Sequence, residues 1–532
     1  MAHASKPALE ALHVEEGLHI HPALPPGVKV DGGILLDAGL KNEHQLAVAK
    51  DGHKGKLTNH PQTVLLPQPS GNPEDPLRWS YRKKHAILFT LAYGAFVADA
   101  VSGSCTSLIV AQGIEWQMNP NTVNHANTIN ILLLGVGALF YVPLSTWWGR
   151  APTIFWTAFI SVFLNLGVAL CPGWSEYHIT RVVQGLFSNA PPSIAIGFIR
   201  DIFFFHERAR KIGIWTALFI ASPYLGPLFG NFMLAGLGQW RPVLWLGFAM
   251  QTAFLVCCIL FLDESWYNRG VADELQPPRG NRVLDRLSRV AGIWQIRHHQ
   301  YFYTLKHSIT TFAQAILKPV LLIVYFNYFI CFGWAIGINV STAILFATPI
   351  QFGGYGYDFK QLGFLYFTPV VGILLGEIFG HFVNDALAKR YIRRHKGIFE
   401  PEVRLWMAYI AAILMIVGLV LLGLGLQRHL NIGVLIVGWG MHTCGLVILS
   451  VTTFAYAVDS YPTVPAEIAG WISFIRVAGG FSVGYYQQPW GEAIGYDKSF
   501  GTQAAFVGLG ALAVAAIHKF GHRLRIKSGD IK

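Results

Sequence analysis

Charge is what this sequence has least of. Only 13% of its 532 residues are Asp, Glu, Lys or Arg, against about a quarter in a soluble globular chain. So few ionisable groups cannot clothe a set of water-exposed domains, so the composition belongs to a membrane protein. Acidic residues are the scarcer sign, 29 against 40 Lys plus Arg, for a net charge of +11. In a soluble chain that balance would suggest nucleic acid; in a chain that is 53% hydrophobic it points to cytosolic loops and anionic lipid instead. Six cysteines, at 105, 171, 257, 258, 331 and 444, include no CxxC pair, so neither a disulfide framework nor a zinc site is indicated. No HExxH occurs, His206-Glu207 has no second His at metal-ligand spacing, and the GxSxG match at Gly480 to Gly484 lies inside an apolar run rather than at a strand-to-helix turn, which argues against a membrane enzyme. The chain does not open on a signal-peptide pattern. Residues 1–84 are polar and rich in Pro, Gly and His, and read as a cytosolic, largely disordered tail.

What is present is a series of long apolar runs. About 20 apolar residues carry a helix across the hydrocarbon core, and twelve runs meet that length: 85–111, 126–147, 152–172, 177–199, 212–235, 241–262, 319–346, 361–384, 404–425, 431–457, 467–486 and 501–519. The widest interruption follows the sixth. The expected fold is an all-α membrane protein with six helices in 85–262 and six in 319–519, a central loop over 263–318, and a C-terminal tail over 520–532. With the N-terminus inside, the cytosolic loops collect Arg200, Arg208, Arg210, Lys211, Lys389, Arg390, Arg393, Arg394 and Lys396, while the opposite loops carry scattered cations such as Lys360, Arg428 and Lys498. That asymmetry places both termini in the cytosol. Within the central loop, "RVLDRLSRVAGIWQI" sets Arg282, Arg286, Arg289 and Arg297 on one helical face and Leu284, Leu287, Val290, Ala291 and Trp294 largely on the other. This pattern serves an interfacial helix on the inner leaflet and a helix packed on the membrane domain equally well.

Between the second and third runs the chain reads "VPLSTWWGR", Val142 to Arg150. It resembles the signature loop of the major facilitator superfamily, G-x-x-x-D-R-x-G-R, with Gly149 and Arg150 in place. Val142 stands where the family has Gly and Thr146 where it has Asp. "HFVNDALAKR" after the eighth run is a partial echo, with Asp385, Lys389 and Arg390 at matching offsets, as an internal six-span repeat would produce. Arg181, Gln184 and Gly185 reproduce the family's R-x-x-Q-G. Gly213, Ser222, Gly226, Pro227 and Gly230 follow its antiporter signature, with Ser222 and Asn231 replacing two glycines. "NPEDPLRWSYRKK", "RDIFFFHERARKIGIWT", "FGWAIGINVS", "GGYGY", "PEVRL" and "YAVDSYP" are similar to fungal members of the twelve-span drug:proton antiporter branch. The resemblance covers roughly 65–520 and implies two pseudo-symmetric six-helix bundles around a central path.

Transport needs a pocket near mid-bilayer, helices that slide, and a group that switches. Asp99 lies about 14 residues into the first run, ~21 Å along a helix, and Glu377 sits inside the eighth. Intramembrane carboxyls are functional candidates. Burial raises such a group's pKa, so it can hold a proton or a cation but not both at full strength; a structural role in a satisfied buried site is the alternative. Arg181 keeps its charge at any working pH and needs a carboxylate, carbonyls or water beside it. By the resemblance, Arg181 and Gln184 join Asp99 and Glu377 in proton and substrate coupling. Gly149, Arg150, Asp201, Arg208, Asp385, Lys389, Arg390 and Arg476 would bracket the cytosolic mouth, with Asp459 and Glu467 as partners for cytosolic cations. The fifth-run small residues suit close helix packing that permits sliding. Trp334, Asn339 and Ser341 are the pocket candidates in the seventh run.

The expectation is a secondary active transporter, working as a monomer in the plasma membrane by alternating access. It would move small organic compounds outward against protons, with the proton gradient as its energy source and no cofactor, metal or nucleic acid involved. Proton-coupled import of a cation or small nutrient on the same fold, and a non-transporting sensor, are the competing readings.

Overall fold

The computed structural model describes residues 72–268, 276–280, 282–347, 355–395 and 398–529, together with Ile34–Leu35, Ser70 and Ile531; the side chains of Ser341, Asp385 and Lys389 lie outside this description. Helix dominates. The first span runs Tyr81–Ser104, starts where the Ser80 hydroxyl accepts from the Lys83 N–H at 3.3 Å, and continues through the 3-10 turn Cys105–Leu108 into Ile109–Trp116. The second, Pro120–Trp148, places proline at the first helical position behind an Asn119 cap. Then follow Arg150–Leu170, the pair Trp174–Ser188 and Ala190–Ile202, Phe205–Leu237 and Arg241–Phe261. The second six begin with Pro319–Ala347, then Phe359–Leu365 with Phe367–Arg394, Trp406–Gln427 and Ile432–Ser460, and end with Tyr496–Ser528.

Among the described residues, eleven helical units are long and apolar enough to cross a membrane. The run expected at 467–486 differs because it is broken at Ser482 into Pro465–Phe481 and Val483–Ile494. The first piece, 17 residues long, falls short of a full crossing, and the second carries Gln487, Gln488 and Glu492. The break follows Gly479-Gly480, where a helix bends readily. Together the two pieces fill the eleventh position.

Apolar side chains sort the bundle into two halves. Ile87, Leu91, Phe198 and Phe254 anchor a core in the first six spans; Met415, Leu419, Leu446 and Tyr456 anchor one in the second six. The halves meet where the second span packs on the eleventh and the fifth on the eighth. Around the outside, Phe140, Phe163, Phe229, Phe379, Ile413 and Leu512 stand exposed. Such a belt suits acyl chains, where apolar surface needs no cover.

Order begins before the first apolar run. Asp75, fully buried, accepts from the N–H groups of Ser70 and Leu77, each at 2.9 Å, and Lys84 donates to the Leu77 carbonyl at 2.8 Å. At the other end, residues 520–528 form the last turns of the twelfth helix. Ile34–Leu35 pair antiparallel with Ile398–Phe399; the rest of 1–69 lies outside the described residues.

The central segment forms helices Val283–Ala291, Ile293–Arg297 and Leu305–Leu317. Its faces do not divide into cations and apolar groups as the sequence pattern suggests. Arg289 turns inward to Asp263, beside buried Val290 and Trp294, while Leu284 is 75% exposed. A carboxylate waiting at the end of the sixth span outweighs the helix's own amphipathic split.

Candidate functional site

The Asp99 carboxylate and the Arg476 guanidinium meet at 2.9 Å, both side chains less than a tenth exposed. Asp99 belongs to the first span and Arg476 to the eleventh, so the pair joins the two halves. The Arg476 guanidinium carbon lies 4.3 Å from the ring centre of Phe219 and 6.0 Å from that of Phe332, contributed by the fifth and seventh spans. Aromatic faces attract a cation most where water is excluded. The Arg476 Nε–H has no acceptor. Arg476, expected near the mouth, thus stands within the bundle and shares a site with Asp99.

One helical turn beyond Asp99, the Ser102 carbonyl accepts from Arg181 at 2.7 Å. Arg181 is 1% exposed and also donates to Gln184 and, at 3.5 Å, to Asn127. Gln184 passes the chain on to Asn165 at 2.6 Å, and Asn130 ties the Arg181 carbonyl to the Ser102 hydroxyl, at 2.6 Å on each side. The first four spans are thereby stitched by amides around a guanidinium whose acceptors among the described residues are all neutral.

Glu377 is not drawn into this centre. It is half-buried in the eighth span, its Oε1 is unpartnered, and Leu374, Ile378 and Phe379 around it are exposed. Asn339 donates to the Pro223 carbonyl at 2.9 Å and accepts at its own carbonyl from Tyr366 at 3.2 Å, linking the seventh, fifth and eighth spans. Trp334 packs on Phe506 with ring centres 5.8 Å apart, turned toward the twelfth span.

A second charged cluster closes the end of the bundle that holds Tyr81 and Ser528. Gly149, at φ +108°, makes the turn between the second and third spans, a conformation that strains a side-chain-bearing residue. Arg150 follows and pairs with Asp201 at the end of the fourth span, while also donating to the Gly197 carbonyl at 3.0 Å. Beyond the sixth span, Glu264 accepts from the Ala151 N–H at 3.1 Å and from Gln295 at 3.2 Å. Asp263 binds Lys83 at 2.6 Å and Arg289 at 2.9 Å. Arg208 donates to the carbonyls of Phe203 and Arg200, capping the fourth span, and Arg200 reaches across the halves to the Thr463 carbonyl at 2.8 Å.

The two neighbouring carboxyls titrate in opposite directions. Burial alone would push Asp263 up, but the Arg289 hydrogen bonds and the charges of Lys83 and Arg289 hold it below the usual 3.8. Burial pushes Glu264 above the usual 4.5 despite backbone donors and the Arg150 charge. A depressed carboxyl contributes stability that is complete above its unfolded value and lost as pH falls through its folded one. Asp263→Asn is therefore expected to cost about 3–5 kcal/mol at neutral pH, by stranding two cations. It should also lose less further stability than the parent between about pH 5 and pH 2. Thermal unfolding across that range checks both.

The sequence profile of the Major Facilitator Superfamily matches residues 91–484. The chain belongs to the major facilitator superfamily. Among curated relatives it is similar to the MFS transporter cpaT of Aspergillus oryzae, 27% identical over 86% of this chain and 90% of that one. It is also similar to the efflux pump FUB11 of Gibberella moniliformis, 26% identical over 87% and 76% of the two chains. The fold matches the xylose transporter XylE from E. coli, with a TM-score of 0.56 at 13% identity over 83% of this chain and 99% of that one. The protein is a multi-pass membrane transporter and not an enzyme.

As a major facilitator, the chain rearranges its signature loop. Thr146, in the family's Asp position, donates to its own helix at the Val142 carbonyl, 3.3 Å away. The other side of the loop is held by Glu264 and Ser265, from the "LDES" that follows the sixth run directly. In the second half, the counterpart of Arg150–Asp201 is Arg404–Asp459 at 2.6 Å, again joining a third-position helix start to a fourth-position helix end. Arg390, from the echo expected after the eighth span, is exposed. In the fifth span, Gly226 and Gly230 press on the first: a Cβ at Gly226 would collide with the Ala100 carbonyl and stand 2.9 Å from the Ser104 nitrogen. Pro227 lies within the same helix, and Gly213 is half-buried further toward its start. Ser222 fits a glycine position because its hydroxyl folds back to the Phe219 carbonyl at 2.6 Å.

Proposed function

We propose that this transporter expels small organic compounds from the cytosol in exchange for protons, with Asp99 and Arg476 as the coupling pair. One observation carries the reading: the carboxylate and guanidinium that hold each other come from opposite halves. While Asp99 is ionised the halves are drawn together through the first and eleventh spans. A proton on Asp99 cancels the attraction and frees Arg476, whose charge then rests on the faces of Phe219 and Phe332. Movement of the halves thus follows the protonation of one atom pair, which is what exchange by alternating access requires. Similarity to an efflux pump and to a multidrug transporter of Aspergillus fumigatus, 25% identical over 76% of this chain, supports the outward direction. The cation-rich loops support a cytosolic location for both ends, and a plasma-membrane location suits export.

Purified protein sealed in proteoliposomes with a pH-sensitive dye, screened against a panel of organic compounds, tests this. A substrate that releases a preformed acid interior gradient from wild-type vesicles, and not from Asp99→Asn vesicles, is the expected result. Substrate flux of equal size with and without a gradient in the wild type rejects proton coupling; gradient-driven flux in the same direction as the protons makes the protein an importer.

A further inference from the structure

The short helices of the central segment carry two sets of side chains. One set is spent on the protein: Arg289 on Asp263, Gln295 on Glu264, with Val290 and Trp294 buried beside them. The other stands outward. Val283 and Leu284 are 68% and 75% exposed, Ile293 and Ile296 47% and 63%. Hydrogen bonds fix where this outward set lies. Arg286 donates to the Ile259 carbonyl at 2.7 Å and to that of Leu260, which sets Val283–Ala291 against the last turn of the sixth span. The indole N–H of Trp156, on the third span, donates to the Ala291 carbonyl at 3.0 Å. Ile259, Leu260 and Phe261 are exposed, and so are Trp156, Phe159 and Phe163. The central helix therefore borders the outer, apolar surface of the third and sixth spans rather than lying on a loop beyond it.

Cations frame the outward apolar set. Arg282 and Arg297 are exposed at its two ends, and Asp285, the single carboxylate between them in sequence, accepts from the Arg282 N–H at 3.1 Å. Branched apolar groups at the rim of the hydrocarbon, with guanidinium groups long enough to reach the headgroups, are the arrangement of a helix lying in the interface. Exposed apolar patches mark sites of contact, and continuity with the belt of the third and sixth spans names this contact as lipid. We propose that the central segment from Arg282 to Arg297 docks on the anionic cytosolic leaflet, with Val283, Leu284, Ile293 and Ile296 among acyl chains and Arg282 and Arg297 on lipid phosphate and carboxylate groups. Such docking follows from the cytosolic placement of this end proposed above and needs no proton coupling. Because the inward set is bonded to the first half, the lipid surface holds that half and the segment as one body.

Nitroxide labels measure the depth directly. Leu284→Cys and Ile296→Cys are each made in the full-length chain with Cys257→Ser and Cys444→Ser, so that the remaining native thiols are buried ones. The labelled proteins are placed in nanodiscs of phosphatidylcholine, or of phosphatidylcholine and phosphatidylserine in equal parts. Both faces of a disc carry the same lipid, so the result does not depend on which end of the protein is cytosolic. Oxygen, which concentrates among acyl chains, should relax both labels more strongly than a water-soluble nickel chelate, and the ratio should be larger in the mixed discs. Each Arg at an anionic surface strengthens partition about fivefold. Arg282→Gln combined with Arg297→Gln, which leaves Arg286 and Arg289 in place, should therefore return the ratio in mixed discs to its value in phosphatidylcholine. A chelate that relaxes either label as strongly as oxygen in the mixed discs puts the patch in water and overturns the proposal. So does protection from both reagents, which would put residues 1–69 or another protein over the patch. A ratio indifferent to phosphatidylserine, or to the loss of both cations, overturns it as well.

Discussion

Asp99→Asn is expected to remove gradient-driven flux while leaving a folded protein that still binds its compound. Asn keeps the shape of the carboxyl and can still accept a hydrogen bond from Arg476, but it carries no charge to draw the eleventh span to the first. Arg476→Met is expected to do worse. It leaves Asp99 buried and unpaired, at a cost of about 3–5 kcal/mol, and both folding yield and flux should fall. Combining the two replaces a charge pair by neutral groups of similar volume, a change that is often close to neutral for stability. The double variant should therefore unfold nearer to the wild-type temperature than Arg476→Met alone, while remaining uncoupled. Unfolding temperatures of the four proteins, with gradient-driven and equilibrium exchange flux measured on each, check the cycle. Full recovery of gradient-driven flux in the double variant would show that the pair only holds the fold.

Gly226→Val is the second large effect. The first and fifth spans approach so closely at Gly226 that an added Cβ meets the backbone of Ala100 and Ser104, which no side-chain rotation can relieve. Overpacking of this kind costs about 1–3 kcal/mol, and in a bilayer small residues are what allow two helices to touch at all. The helices must separate, and the displacement is felt at Asp99, one residue before Ala100. Transport should fall by at least about tenfold even where the protein still inserts. Gly236→Ala, in the same helix at a position with open space around it, should behave as wild type. Parallel flux measurements on the two variants, normalised to protein in the membrane, distinguish tight packing at one contact from a general intolerance of the fifth span.

The fold was legible because lipid imposes simple demands. Twelve apolar runs, a basic bias on alternate loops and a single long interruption set the order of the helices, and eleven stand as expected. The eleventh broke because Gly479-Gly480 and the following glutamines depend on neighbours that a reading of apolar length does not see. Asp99, Arg181 and Arg476 were legible one by one, since ionisable groups in apolar runs announce themselves. Their pairing was not. Asp99 and Arg476 are 377 residues apart, and nothing local marks one as the other's partner. Asp263 and Glu264 escaped attention for the opposite reason: carboxylates just past a helix end usually face water, and only the fold shows them turned inward to Arg289 and the start of the third span. Thr146 departs from a familiar pattern, and its hydroxyl bonds within its own helix while Arg150 pairs with Asp201.

The central segment crosses the boundary that transport has to move. Arg289 and Gln295 fasten its beginning beneath the first half, and further along Phe312 stacks on Trp471 of the eleventh span with ring centres 4.8 Å apart, while the Trp471 N–H donates to the Phe312 carbonyl at 2.8 Å. A covalent strap fastened at both ends has a fixed contour length. Were one half to swing away from the other, that length would set how far it travels before either the Phe312–Trp471 clasp lets go or the strap pulls taut.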